Sequence, residues 1–300
     1  MSKISKYIVT IFFLSLSILF IVYIVKINYK ETLEINSPTV LQNNSNVDLN
    51  GDSNFESIKV VKIDDTKQDI EITTNNKTFF LSSLTNNNYL SDCSNSYYLT
   101  VRLLNISRDN KPEILVQGYL NNEPITYLFS YKDTKFKLEY SCNSNISGII
   151  DSNLNRTPQV TFFNNSNLNN SFKNFMIIND NLVDITKNSN KTPGVYEILK
   201  LIDIISLEYE VIDYPNIFHK HADDNSISPI WSLNKDEFRY LFKNAFFYDN
   251  EVDEDGILQN LSWSLHFEKI NKYSNKKESF ILKVDSSRDE NNSFKISSIK

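Results

Sequence analysis

Apolar residues fall along this chain in three successive patterns, and each predicts different elements. The first is an unbroken apolar stretch of 19 residues from Tyr7 to Val25. About 17–25 such residues cross a bilayer core. Secretory signal cores are shorter, about 7–15 residues, and end at a small-residue cleavage site. No such site follows Val25, where the chain continues Lys26-Ile27-Asn28. An uncleaved transmembrane helix is expected at 7–25, behind a cytoplasmic tail of residues 1–6 that carries Lys3 and Lys6; a cleaved signal is the alternative. Residues 26–45 are polar and turn-forming without periodicity, as in a linker.

The second pattern, over residues 46–187, predicts a mostly-β domain. Short runs of β-branched and aromatic residues alternate with Asn, Asp and Ser clusters. They include Glu56 to Ile63, Tyr97 to Leu104, Ile114 to Tyr119, Ile125 to Tyr131, Phe136 to Tyr140 and Val160 to Phe163. A Lys132-Asp133-Thr134 turn joins two of them. The third pattern, over 190–300, predicts an α+β domain of helices followed by strands. Thr192-Pro193 opens a helix expected over 193–210, with Val195, Ile198, Leu199, Ile202 and Ile205 at helical spacing. Asn234-Lys235-Asp236-Glu237 has the form of a capping box. It predicts a second helix over 235–247, with Phe238, Leu241, Phe242, Ala245 and Phe246 on one face. Strands are expected from 257 onward, where Leu261, Trp263, Leu265 and Phe267 alternate. Ser279–Asp285 and Ser293–Ile299 follow.

Charge narrows the function. The chain carries 31 basic and 37 acidic residues, for a formal net charge of −6. Three lysines and no acid lie in residues 1–26, so the remainder is more acidic still. A basic stripe for nucleic acid is missing. Location follows from the apolar stretch: a single-pass cell-membrane protein with its N-terminus in the cytoplasm and its bulk outside.

The most distinctive chemistry is an acidic loop ahead of a strand. Oxygen-bearing side chains alternate at Asp48, Asn50, Asp52, Asn54 and Glu56, with Gly51 for the sharp turn. A hard cation such as calcium takes six to eight oxygens from a flexible shell. The loop recurs in weaker form. The second copy offers Asn105, Ser107, Asp109 and Glu113; the third offers Asp151, Asn153, Asn155 and Gln159. An alternative reading needs no metal, since Asx-rich loops hydrogen-bond their own backbone.

These units resemble the integrin-type FG-GAP or VCBS repeat, whose consensus runs close to Asp-x-Asn-Gly-Asp-Gly-x-x-Asp/Glu before a strand. The resemblance implies blade-like sheets of about four strands and loops able to bind calcium. Loop one matches at Asp48, Asn50, Gly51, Asp52 and Glu56, with Ser53 in place of the second glycine. Three units are fewer than the four to eight blades of a closed propeller, which points to an open stack. The C-terminal region is similar in outline to the NTF2-like cone, which implies a small-ligand pocket or a packing module.

The remaining candidates are sparse. Cys93 and Cys142 could form a disulfide in an exported protein or stay as thiols. His219 and His221, beside Asp223 and Asp224, form a conceivable zinc set, with a surface loop as the other reading. His266 is expected on an exposed polar strand face. Asp249, Glu251, Asp253, Glu254 and Asp255 before Gly256 read as a solvated acidic hairpin. Walker loops, nucleophile elbows and zinc-protease helices are missing. The reading is a membrane-anchored extracytoplasmic binding or scaffold protein of a bacterial-type envelope, facing a protein or glycan ligand. The alternative is an envelope hydrolase, or an accessory subunit of one, with its site in residues 190–300.

Overall fold

Two-residue turns built from Asn and Asp, with one Thr, set the hairpins of the fold. Asn121-Asn122, Asp133-Thr134 and Asn179-Asp180 all have positive φ, between 48° and 65°. This is the backbone that two-residue hairpins with right-handed strand twist require, and Asn and Asp tolerate it better than most residues. The structure is a computed structural model. It describes residues 38–300 apart from 42–43, 75–76, 94–98, 153–156, 190, 212–214 and 223. The tail 1–6, the apolar stretch 7–25 and most of the linker lie outside the described residues. Among the described residues, no helix is long and apolar enough to cross a membrane.

Strand β1 (Thr39–Val40) precedes a meander of β2 (Asn44–Val47), β3 (Glu56–Lys62), β4 (Lys67–Thr74) and β5 (Lys77–Phe80), to which β6 (Ser91–Asp92) adds beside β4. A second meander is β7 (Thr100–Leu104), β8 (Glu113–Leu120), β9 (Glu123–Lys132) and β10 (Lys135–Cys142). A third is β11 (Ile146–Ile150), β12 (Gln159–Phe163), β13 (Lys173–Ile178) and β14 (Asn181–Asp184). Each is antiparallel with its strands in chain order. Then come helices α1 (Val195–Ser206) and α2 (Asp224–Trp231), and a last antiparallel meander of β15 (Phe238–Val252), β16 (Leu258–Asn271), β17 (Lys277–Arg288) and β18 (Phe294–Ile299).

The middle sheet is buried on both faces. Ile114, Val116, Tyr127 and Phe129 join Ile58, Ile70 and Ile72 of the first meander in one core. Leu115 and Leu128, pointing the other way, join Val160, Phe162 and Phe175 of the third. Double burial explains why Ile114-Leu115-Val116 is a continuous apolar run and not an alternating one.

The expected fold class needs correction in its C-terminal part. Residues 190–300 hold more strand than helix, and 238–247, expected within a helix, belong to β15. The local helix signal is real but brief. Asn234 Oδ1 accepts the Glu237 N–H at 3.1 Å, and Phe238 N–H reaches the Asn234 carbonyl at 3.1 Å. That single turn then opens into a strand. Four phenylalanines and two tyrosines favour a pleated surface. Cross-strand ring pairs hold it there: Phe242 with Phe267 at 5.5 Å and Phe247 with Trp263 at 4.5 Å. The apolar spacing at 238, 241, 242, 245 and 246 therefore misled. The first expected helix forms as α1, shorter than 193–210.

A parallel pairing joins the two halves. Ile146 to Ile149 on β11 align with Ala245 to Tyr248 on β15. An eight-stranded sheet, β14-β13-β12-β11-β15-β16-β17-β18, thus runs across the expected boundary at 187–190. Gly148 makes the seam possible, because a Cβ there would lie 2.4 Å from Phe247 ring atoms. Ile146, Phe163 and Phe172 share a core with Ile198, Leu201 and Ile202 of α1 and with Leu261, Trp263, Leu265 and Phe267 of β16.

Candidate functional site

Loop one spans β2 and β3, and its own backbone occupies its oxygens. Asp48 accepts the N–H of Gly51 at 2.7 Å through Oδ1 and that of Ser53 at 2.9 Å through Oδ2. Asn50 Oδ1 accepts from Asp52 N–H, and Asp52 Oδ1 from Asn54 N–H, each at 2.8 Å. Gly51 and Ser53 both have positive φ, 77° and 67°. Asn54 is exposed. Glu56 differs from the other four. It is buried at the start of β3 and accepts from Leu49 N–H at 2.8 Å, Asn50 Nδ2 at 2.9 Å and Thr74 Oγ1 at 3.2 Å. Its role there is to close the loop onto its strand.

Loop two repeats that closure at the same spacing. Glu113, buried at the start of β8, accepts Ile106 N–H at 2.8 Å, seven residues apart as in loop one. Burial pushes its carboxyl above the usual range. Ser107 Oγ donates to Asp109 Oδ1 at 2.7 Å, which also takes Lys111 N–H at 3.1 Å. Asn105 is exposed.

Loop three has Gln159 where the others have glutamate. The acceptor comes instead from β15: Asp249 Oδ2 takes the N–H of Asp151 at 2.7 Å and of Ser152 at 2.5 Å. Ser152 stands where Leu49 and Ile106 stand in the other loops. Asp249 was expected in a solvated hairpin, yet it is 0 % exposed. Its carboxyl is pushed up by burial, with the Asp151 charge adding to the effect. The hairpin proper begins later, where Asp253 Oδ1 accepts from Asp255 and Ile257 N–H. Nothing within residues 151–159 named Asp249; the one available signal was the loss of charge at Gln159.

Side-chain contacts link the described parts of the three loops. The Lys111 stem crosses Gly51, with its Cγ 3.2 Å from where a Cβ would stand. Arg108 forms an ion pair with Asp151. Loop one is thereby tied to loop two, loop two to loop three, and loop three to β15.

The other candidates are not brought together. No disulfide joins Cys93 and Cys142; the Cys142 Sγ lies 3.3 Å from Ser144 Oγ. His219 and His221 have ring centroids 5.4 Å apart, and His219 Nδ1 accepts His221 N–H at 3.2 Å. Asp223 lies outside the described residues. Among the described residues no three His, Cys, Asp or Glu side chains group as a metal set. His266, expected to be exposed, is partly buried. Desolvation, helped by the nearby Arg102 charge, pushes its imidazole down to about 3. It faces Ser264 Oγ at 3.2 Å. Among the described residues of 190–300, the hydrolase alternative has two buried acids, Asp249 and Glu268. Register puts them on opposite faces of the β15–β16 pair. Glu268 lies between Lys243 at 3.6 Å and Lys277 at 3.4 Å.

No protein-family model matches the chain, and neither a curated protein nor a solved structure matches it.

Proposed function

We propose that this is a binding or scaffold protein displayed outside a cell membrane of the bacterial-type envelope. The apolar stretch 7–25 holds it there, and the rim of three loops meets a protein or glycan ligand. Calcium at loop one stiffens that rim, in keeping with the FG-GAP/VCBS resemblance. The supporting observation is the tie between loops. Lys111 over Gly51 and the Arg108–Asp151 pair make one continuous edge, with Phe55 beside it 75 % exposed. Tied loops lose little further freedom on binding, which favours affinity.

Two experiments test the proposal. Protease added to intact cells should digest the chain beyond Asn28, and purified protein should bind isolated envelopes less well as Phe55→Asp. Full protection in a protease-permeable envelope, or unchanged binding, counts against it. Millimolar calcium should raise the thermal midpoint. At a hundred times the dissociation constant the gain is about 2.7 kcal/mol. Asp48→Ala with Asp52→Ala should remove loop one's share of that gain. If the double variant responds as fully as the parent, loop one is purely structural.

A further inference from the structure

Three buried side-chain oxygens where loop three meets β15 have no hydrogen-bond partner: Asp151 Oδ1, Ser152 Oγ and Asp249 Oδ1. They belong to residues tied to one another, because the second oxygen of Asp249 accepts the N–H groups of both Asp151 and Ser152. The second oxygen of Asp151 is also engaged, by Arg108. Each carboxylate therefore has one oxygen used and one spare in the same small region. Asp249 is 0 % exposed and Ser152 5 %. A buried acceptor left without a partner costs about 1–3 kcal/mol, and more when charged.

A hard cation satisfies such oxygens together. Calcium accepts carboxylates, neutral oxygens and waters in one irregular shell. The Arg108 guanidinium offsets part of the charge of the two acids, and a divalent ion would offset the rest. We propose that loop three and β15 form a site for a hard divalent cation, with Asp151 and Asp249 as its carboxylate ligands and the Ser152 hydroxyl as a third side-chain oxygen. The site draws one ligand from outside the repeat and does not depend on loop one.

The test uses the full chain carrying Asp48→Ala and Asp52→Ala, so that loop one cannot contribute. Calcium chloride is titrated by calorimetry. One calcium should still bind, and Asp249→Asn should weaken it by about tenfold or more, because carboxylate count sets affinity in such sites. Asp249→Asn keeps an oxygen for the two amides. If it fails to fold, Asp151→Asn and Ser152→Ala carry the test, and each should weaken binding. Absence of calcium binding in the loop-one variant would mean that water or a proton fills the site, and would overturn the proposal. Binding unchanged in folded Asp249→Asn or Asp151→Asn would do the same. Failure here leaves loop one untouched, since loop one is read from the parent against its own double variant.

Discussion

Units one and two close their loops with their own glutamates, Glu56 and Glu113, whereas unit three borrows Asp249 from a strand about a hundred residues further on. Part of the folding information for the third unit thus resides in the C-terminal region. The closing acceptor of the first two loops is local in sequence, whereas that of the third sits on β15, which pairs with β11. Where loop three has Gln159, a carboxylate from β15 accepts the Ser152 amide that corresponds to Leu49 and Ile106 in the other loops.

That contrast can be broken first by truncation, which should have the largest effect. A chain ending at Asn188 loses β15 and with it Asp249 and the Phe246 contact to the third sheet. Hydrogen exchange should show residues 146–184 exposed while β3, β4 and β8 stay protected. Equal protection throughout would make unit three autonomous. The complementary fragment 190–300 should fail to fold alone, because the parallel edge of β15 and its shared core would be open. A circular dichroism spectrum with native sheet would restore an independent C-terminal domain.

Single substitutions come next. Asp249→Ala strands two amides and Glu113→Ala one, at about 1–3 kcal/mol for each stranded group. Denaturant midpoints should therefore fall further for Asp249→Ala. Gly148→Ala sets a methyl against the Phe247 ring at the seam, and overpacking of this kind costs about 1–3 kcal/mol. An unchanged thermal midpoint would mean that the seam yields. The smallest expected effect is that of His266. Its folded value, about 3, lies below the ordinary 6.5, so the unfolded chain binds a proton that the native chain refuses. Its contribution to stability is present above 6.5 and is lost as pH falls toward 3. Thermal midpoints of His266→Gln should drop less on acidification than those of the parent; identical drops would assign the acid sensitivity elsewhere.

The sequence pattern was most legible where one local cause decides the outcome. The Lys132-Asp133-Thr134 turn forms because positive φ is set within the pair, and Leu261, Trp263, Leu265 and Phe267 alternate because one face of β16 is core. The pattern misled where tertiary contacts overruled it. Phe238 to Phe246 carries a helical spacing and a genuine capping turn, but Phe267 and Phe280 pack on its Phe242 and Tyr240 rings in a sheet. Loop one was visible as alternating oxygens. The burial that sets Glu56 apart from Asp48 and Asp52 was not, because it depends on Thr74 and the packing above it. Asp249 could not be paired with Asp151 from one sequence, since no local period links them.

The short pairing of β1 with β7 has a mechanical consequence. Thr39 and Val40 align with Leu103 and Arg102, and Leu41 N–H reaches the Val101 carbonyl at 3.0 Å. A pull applied to the chain before residue 38 meets this clasp before it meets unit one. Load from that side therefore enters the molecule at the doubly buried middle sheet and not at the first unit with its acidic loop. While the clasp holds, tension on the N-terminal side would leave the shape of the loop-one rim unaltered.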